Sequence, residues 1–275
     1  MPEGLNPYPR WPGARRDGPR WPILAAHEMR LAYRGRWSLL ALAAGLAWGL
    51  ASVIELVQSR NVGDAAFVLD AYRSMVGQLR WAAVAVALVV GAPLILDDTR
   101  ANALELYFTR GLGRGSYLLG KAAALLLLTT ATVALPAAAY YLASLAFYHG
   151  LPASWHLHAA AGLLYALLWG VLVSGVALGA SCALRSVAGA VLTVAGVFAG
   201  LDIFVRRILG ALTENPKLAV ASPFAATEQA ATWLWGGDRP QHFPVWWGVV
   251  AWAVLAALGW GLAVWTMPKP RGEAN

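Results

Sequence analysis

Hydrophobic residues gather in six runs, at positions 37–57, 76–96, 122–148, 159–184, 187–205 and 245–266. A helix needs about 20 apolar residues to cross a hydrocarbon core of about 30 Å, and every run is close to that length or longer. The second run has an alternative start at Trp81, because no charged side chain lies between Trp81 and Leu96. Residues 122–148 carry none over 27 positions, and Pro136 interrupts their hydrogen-bond ladder, so this run tilts or bends. The pattern predicts an all-α polytopic membrane protein with six transmembrane helices and both termini on one side. Between the second and third runs lies the polar segment DDTRANALELYFTRGLGRGSYLLGK, residues 97–121. A charge at a span centre costs about 2.5–3.5 kcal/mol on insertion scales, so this segment must sit in water or against protein.

Inside that segment, residues 99–109 predict a short amphipathic helix with Thr99 as its cap. Leu104, Tyr107 and Phe108 cluster on one side, Arg100, Glu105 and Arg110 supply charge, and the helix is expected to face a partner. Gly111 ends it, and residues 114–121 return the chain to the membrane with Tyr117 at the interface. Ahead of the first span, residues 22–37 predict a helix lying in the membrane interface, with Pro22 in its first turn. Ile23, Leu24, His27 and Leu31 form its apolar stripe, while Glu28, Arg30, Arg34 and Arg36 point toward water. Residues 206–244 are too long for a simple turn and contain Pro216, Pro223, Gly236, Gly237 and Pro240. Short, partly re-entrant helices fit this stretch, provided protein or water covers their irregular backbone. The organisation is then a mobile tail (1–21), a single transmembrane body (22–266) and a short second tail (267–275).

Composition agrees with this picture. Of the 275 residues 59% are hydrophobic and only 13% charged, at a mean hydropathy of +0.56, where soluble domains carry about 25% charged residues. The 14 Trp suit interfacial belts. No continuous apolar stretch precedes Trp37, so the first span is expected to act as its own insertion signal. The net charge of +7 is explained by topology rather than by nucleic acid. With the termini inside, 14 of the 21 Lys and Arg fall on that side, which assigns both termini to the cytoplasm. The single Cys182 lies in an apolar run as a small filler.

Catalytic and ligand chemistry is sparse. Residues 115–121, GSYLLGK, begin like a phosphate-binding loop, but Ala122 stands where the pattern needs a Ser or Thr to ligate magnesium. Gly113, Gly115 and Gly120 are then turn and packing residues. Span centres offer no paired carboxylates, histidines or nucleophile. Glu55 and Asp202 fall near the outer ends of their spans, the latter within reach of Arg206. His149, His156, His158 and His242 share the outer side, without a thiolate or carboxylate to complete a metal site. No catalytic or metal-ligating residue is therefore assigned. Thr129, Thr130, Tyr140 and Tyr141 are the polar candidates for lining a pathway in the third span. Three glycine pairs spaced by four, Gly45 with Gly49, Gly175 with Gly179 and Gly196 with Gly200, allow close helix packing.

A family resemblance emerges at the polar segment. Pro93 and Leu94, the acids after them, AlaLeuGluLeuTyrPheThrArg at 103–110, an Arg-Gly linker and TyrLeuLeuGlyLys at 117–121 together resemble an ABC-2 type permease of ATP-binding-cassette exporters. HisGluMetArg at 27–30, ahead of ArgGlyArgTrp at 34–37, resembles that family's elbow helix, with Glu28, Arg30 and Arg34 in it. SerProPhe at 222–224 resembles a motif of its last outer loop. Asp97 and Asp98 stand where many members have Glu then Arg. The resemblance implies a coupling helix around Glu105 that fits a groove in a separate cytoplasmic ATPase. It implies two permease copies, as a homodimer, with two ATPases that bind ATP and magnesium, and no cofactor in this chain. The setting would be a prokaryotic inner membrane. An intramembrane enzyme, or an anchoring or assembly subunit without flux, are the alternative classes. The apolar spans suit a lipid-like or amphipathic cargo as well as a peptide.

Overall fold

The computed structural model describes residues 19–59, 65–109, 112–213, 215–235 and 243–267. Residues 1–18 and 268–275 of the two tails, with Arg110, Gly111 and His242, lie outside them. All regular structure among the described residues is helical. Helix α1 (Trp21–Ala32) starts with Pro22 in its first turn, where the missing N–H costs nothing. The Ser38 hydroxyl, hydrogen-bonded to the carbonyls of Ala32 and Gly35, secures the corner into α2 (Arg36–Gln58). Helix α3 (Ala65–Val86) continues through a π-helical stretch (Ala87–Gly91) and a turn at residues 92–95 into the single-turn α4 (Leu96–Arg100). Then come α5 (Ala103–Thr109), α6 (Arg114–Phe147) and α7 (Ser154–Ala183). Ser186 caps α8 (Val187–Ala195), accepting from the Gly189 N–H at 3.0 Å. Two more π-helical stretches (Gly196–Gly200, Ile203–Leu209), α9 (Gly210–Thr213) and a 3₁₀ helix (Pro216–Ala221) lead to α10 (Pro223–Trp235) and α11 (Val245–Thr266).

Among the described residues, six helices are long and apolar enough to cross a membrane, so the chain is a membrane-embedded protein. They run Arg36–Gln58, Ala66–Arg100, Arg114–Phe147, Ser154–Ala183, Val187–Leu209 and Val245–Thr266. Each contains or nearly coincides with one predicted run. The second and third begin earlier than predicted, because charged residues that end a hydropathy run do not end a helix. Arg73, which precedes the predicted run, and Arg80, which precedes its alternative start at Trp81, lie inside α3, and Lys121 lies inside α6. Pro136 also sits within an unbroken α6.

Helix α7 is the central element. Trp169, Leu172, Val173, Ala177 and Leu178 are fully buried, and the helix packs on α6, α11 and α3. Its closest neighbour is α11, and the approach depends on glycine. A Cβ on Gly179 would fall 2.5 Å from the Gly259 carbonyl oxygen, and one on Gly259 would fall 2.6 Å from the Gly175 carbonyl carbon. The atoms in the way are backbone, so they cannot rotate aside. Gly179→Leu is therefore expected to lower stability by about 3 kcal/mol, the upper part of the overpacking range, in detergent denaturation curves. Gly45 and Gly49 likewise admit Thr132 and Pro136 of α6, whereas a Cβ on Gly196 or Gly200 would meet open space. Outward-facing residues of α2 and α11, such as Leu40, Leu50, Trp246 and Val264, are more than half exposed, as helices facing lipid require.

A candidate functional site built on a buried ion cluster

From the polar segment, Asp98 and Lys121 enter a buried ion cluster. The Lys121 ammonium, on a side chain 2% exposed, lies 2.8 Å from Glu28 Oε1 and 2.7 Å from Asp98 Oδ2. It also donates to the Leu94 carbonyl at 3.2 Å. Three N–H donors thus meet three acceptors, the number an ammonium can satisfy. The Tyr117 hydroxyl donates to the same Asp98 oxygen at 2.8 Å, and Lys121 Nζ lies 5.6 Å from the Tyr117 ring centroid. Burying charge is expensive unless it is paired and hydrogen-bonded, which this cluster achieves with groups from α1, α4 and α6.

Two features bring these groups together. The break after the π-helical stretch of α3 frees the backbone of residues 92–95; the Leu94 carbonyl goes to Lys121, and the Ile95 N–H donates to Ser181 Oγ on α7 at 3.0 Å. Gly120 lets α1 lie flush on α6, since a Cβ there would stand 2.9 Å from Leu24. On α1 the residues facing the protein are Leu24, Ala25, Glu28 and Ala32, while Ile23, His27, Leu31, Arg30 and Arg34 are exposed. The expectation that Glu28 points to water is corrected: it sits 6% exposed, because Lys121 supplies the counter-charge that makes burial tolerable.

The predicted helix over 99–109 is two helices. Asn102 takes φ +54°, a left-handed conformation that Asn tolerates, and separates α4 from α5. Thr99 is consequently no cap; it lies in α4 and its hydroxyl donates to the Ile95 carbonyl at 2.9 Å. On α5, Leu104 is buried and Tyr107 and Phe108 are half-buried, with their rings 5.6 and 6.1 Å from that of Tyr117. Burial, reinforced by the Asp98 carboxylate, raises the Tyr107 phenol above its ordinary value. The apolar side of α5 therefore grips the chain's own α6. Arg100, Glu105, Leu106 and Thr109 are exposed. At the same end, Arg114 Nη2 donates to the Met267 carbonyl at 2.7 Å, tying α6 to the end of α11.

A second polar cluster was not anticipated. Arg80 lies 2.5 Å from Glu228 of α10 and 4.6 Å from the Phe224 ring centroid, and its carbonyl accepts from Trp169 Nε1 at 3.1 Å. Arg73, two turns away on the same face of α3, donates to the Trp235 carbonyl at 2.5 Å. Ser222 caps α10 by accepting from the Ala225 N–H at 3.2 Å, and donates to Asp202 at 2.5 Å. Asp202 in turn lies 3.5 Å from Arg206, the neighbour expected from the sequence. Helix α10 is thus fastened at its start, its middle and its end.

Thr129 and Tyr140 are fully buried and donate to the Leu125 and Val68 carbonyls, while Thr130 presses on Gly170 of α7. Tyr141 lies 2.6 Å from His156 Nδ1, and His158 Nδ1 lies 2.7 Å from the Ser154 carbonyl. Among the described residues, no three His, Cys, Asp or Glu side chains converge as metal ligands would. No protein-family model matches the chain, and no curated protein matches it.

Proposed function

We propose that the chain is the permease subunit of an ATP-binding-cassette exporter in a prokaryotic cytoplasmic membrane, with both termini in the cytoplasm. In this reading it forms a homodimer and is driven by two copies of a separate ATPase, which bind ATP and magnesium. The observation that carries it is the Lys121 cluster beneath α5. Displacement of α5 would pass through the Tyr107 and Phe108 rings to Tyr117, and from there through Asp98 and Lys121 into the second and third spans and α1. A short helix with an exposed charged side and an apolar side bound to a rigid ion cluster is suited to transmitting force from a partner. The ATPase would meet Arg100, Glu105, Leu106 and Thr109, while Leu104, Tyr107 and Phe108 hold α5 to the permease.

The test is affinity purification of the tagged chain from its native membranes. An ATPase activity is expected to accompany the wild-type chain and to fall at least tenfold for Glu105→Lys, because a reversed charge at a docking contact costs several kcal/mol. An undiminished ATPase with Glu105→Lys, in protein of unchanged elution volume, would sink the docking role of α5. Purification without any ATPase would sink the transporter reading.

A further inference from the structure

Helices α2 and α3 flank a half-open cavity of about 360 Å³ whose lining includes Trp48, Ser52 and Glu55 from one helix and Phe67, Asp70, Ser74 and Gln78 from the other. This volume falls in the range of small-molecule sites. Glu55, Asp70, Ser74 and Gln78 are exposed, although both helices belong to membrane spans. The cavity has depth along the helices. Glu55 and Asp70 lie within a turn or two of the helix ends. Trp48 and Gln78 lie about 15 and 20 Å in, at about 1.5 Å per residue.

Among the described residues, no Lys or Arg lines this space. Arg73 approaches Asp70 only to 3.9 Å and directs another nitrogen to the Trp235 carbonyl, and the Asp70 side chain remains 78% exposed. Bare lipid would be a poor covering for a face bearing two carboxylates, an amide and two hydroxyls. Carboxylates near the mouth, with Phe67 on the adjoining turn and Trp48 farther in, are the chemistry that holds a cation carrying an apolar body, through charge pairing and aromatic contact.

We infer that the α2–α3 cavity is a binding site for an organic cation with an apolar body, its charge between Glu55 and Asp70 and its body directed toward Trp48 and Gln78. The proposal concerns binding by this chain alone and does not rest on the transporter reading, so it can fail or stand independently of an ATPase.

The experiment is equilibrium dialysis of the purified full chain, in uncharged maltoside micelles, against tetraphenylphosphonium. Saturable binding of one cation per chain is expected. Glu55→Gln combined with Asp70→Asn should weaken it at least tenfold, and Ser74→Trp should block it by filling the cavity. These positions are exposed, and an unchanged elution volume verifies the fold. Tetraphenylborate, of the same shape and opposite charge, should bind at least tenfold more weakly than the cation. Added phosphatidylethanolamine separates two sources of the charge: competition assigns the site to a lipid ammonium, and its absence to a free cation, both retaining a cationic ligand. Lack of saturable binding to the wild-type chain, insensitivity to all of these substitutions, or equal affinity for tetraphenylborate would overturn the inference.

Discussion

Lys121→Met is expected to lower the stability of the chain by about 3–5 kcal/mol, measured by denaturation in detergent, because breaking a buried ion cluster leaves its remaining charges uncompensated. The site explains the size. Lys121 is 2% exposed and stands between two carboxylates, so its removal leaves Glu28 and Asp98 facing each other without a cation while the Leu94 carbonyl loses a donor. The neutral isosteres of the two carboxylates supply a control. Combining Lys121→Met with Glu28→Gln and Asp98→Asn removes the charges together and should recover most of the loss, to within about 1 kcal/mol of the wild-type chain. A single substitution costing less than about 1 kcal/mol would show that water or rearrangement already neutralises the cluster.

Arg80→Ala is expected to loosen α10. The guanidinium makes a 2.5 Å ion pair with Glu228 and stacks on Phe224, whose ring also lies 4.2 Å from that of Trp81 and 5.1 Å from that of Trp169. Losing a mostly buried ion pair together with a cation–π contact should cost about 3 kcal/mol. The effect should be local: amide hydrogens of residues 223–235 would exchange markedly faster, while those of α1 and α6 around Lys121 keep their protection. Arg80→Lys retains the charge but not the planar fork, so it should fall between the two. Unchanged exchange in α10 with Arg80→Ala would mean that Ser222 and the Trp235 carbonyl hold the helix unaided.

The helical spans were legible because apolar runs of bilayer length have few other uses, and the last predicted run, 245–266, coincides with α11. What escaped the sequence was compensation between charges. Lys121 ended a polar segment and looked destined for water, yet its partner Glu28 is 93 residues away and no local pattern joins them. One signal was available: Glu28 falls at helical spacing with Leu24 and Ala32, on the stripe that packs against the protein. Arg80 shows the same difficulty: the run 76–96 includes it, the alternative start at Trp81 leaves it out, and its counter-ion Glu228 is in a distant helix. Amphipathicity identified a face on α5 but not its neighbour. Leu104, Tyr107 and Phe108 were read as the side offered to a partner, and they pack toward the Tyr117 side of the chain's own fold.

The π-helical stretch Ala87–Gly91 sets the phase of everything that follows it. An α-helix turns about 100° per residue, and a π-type turn absorbs one extra residue without breaking the backbone ladder, as the Ala92 N–H to Ala87 carbonyl bond at 2.9 Å shows. Were that stretch α-helical and one residue shorter, residues 92–100 would keep their composition and hydropathy but would be swung about 100° around the helix axis. Leu94 would then turn its carbonyl away from Lys121, and Asp98 would leave the cation it neutralises. The azimuth at which the second span ends is thus as much a determinant of the ion cluster as the three charged residues themselves.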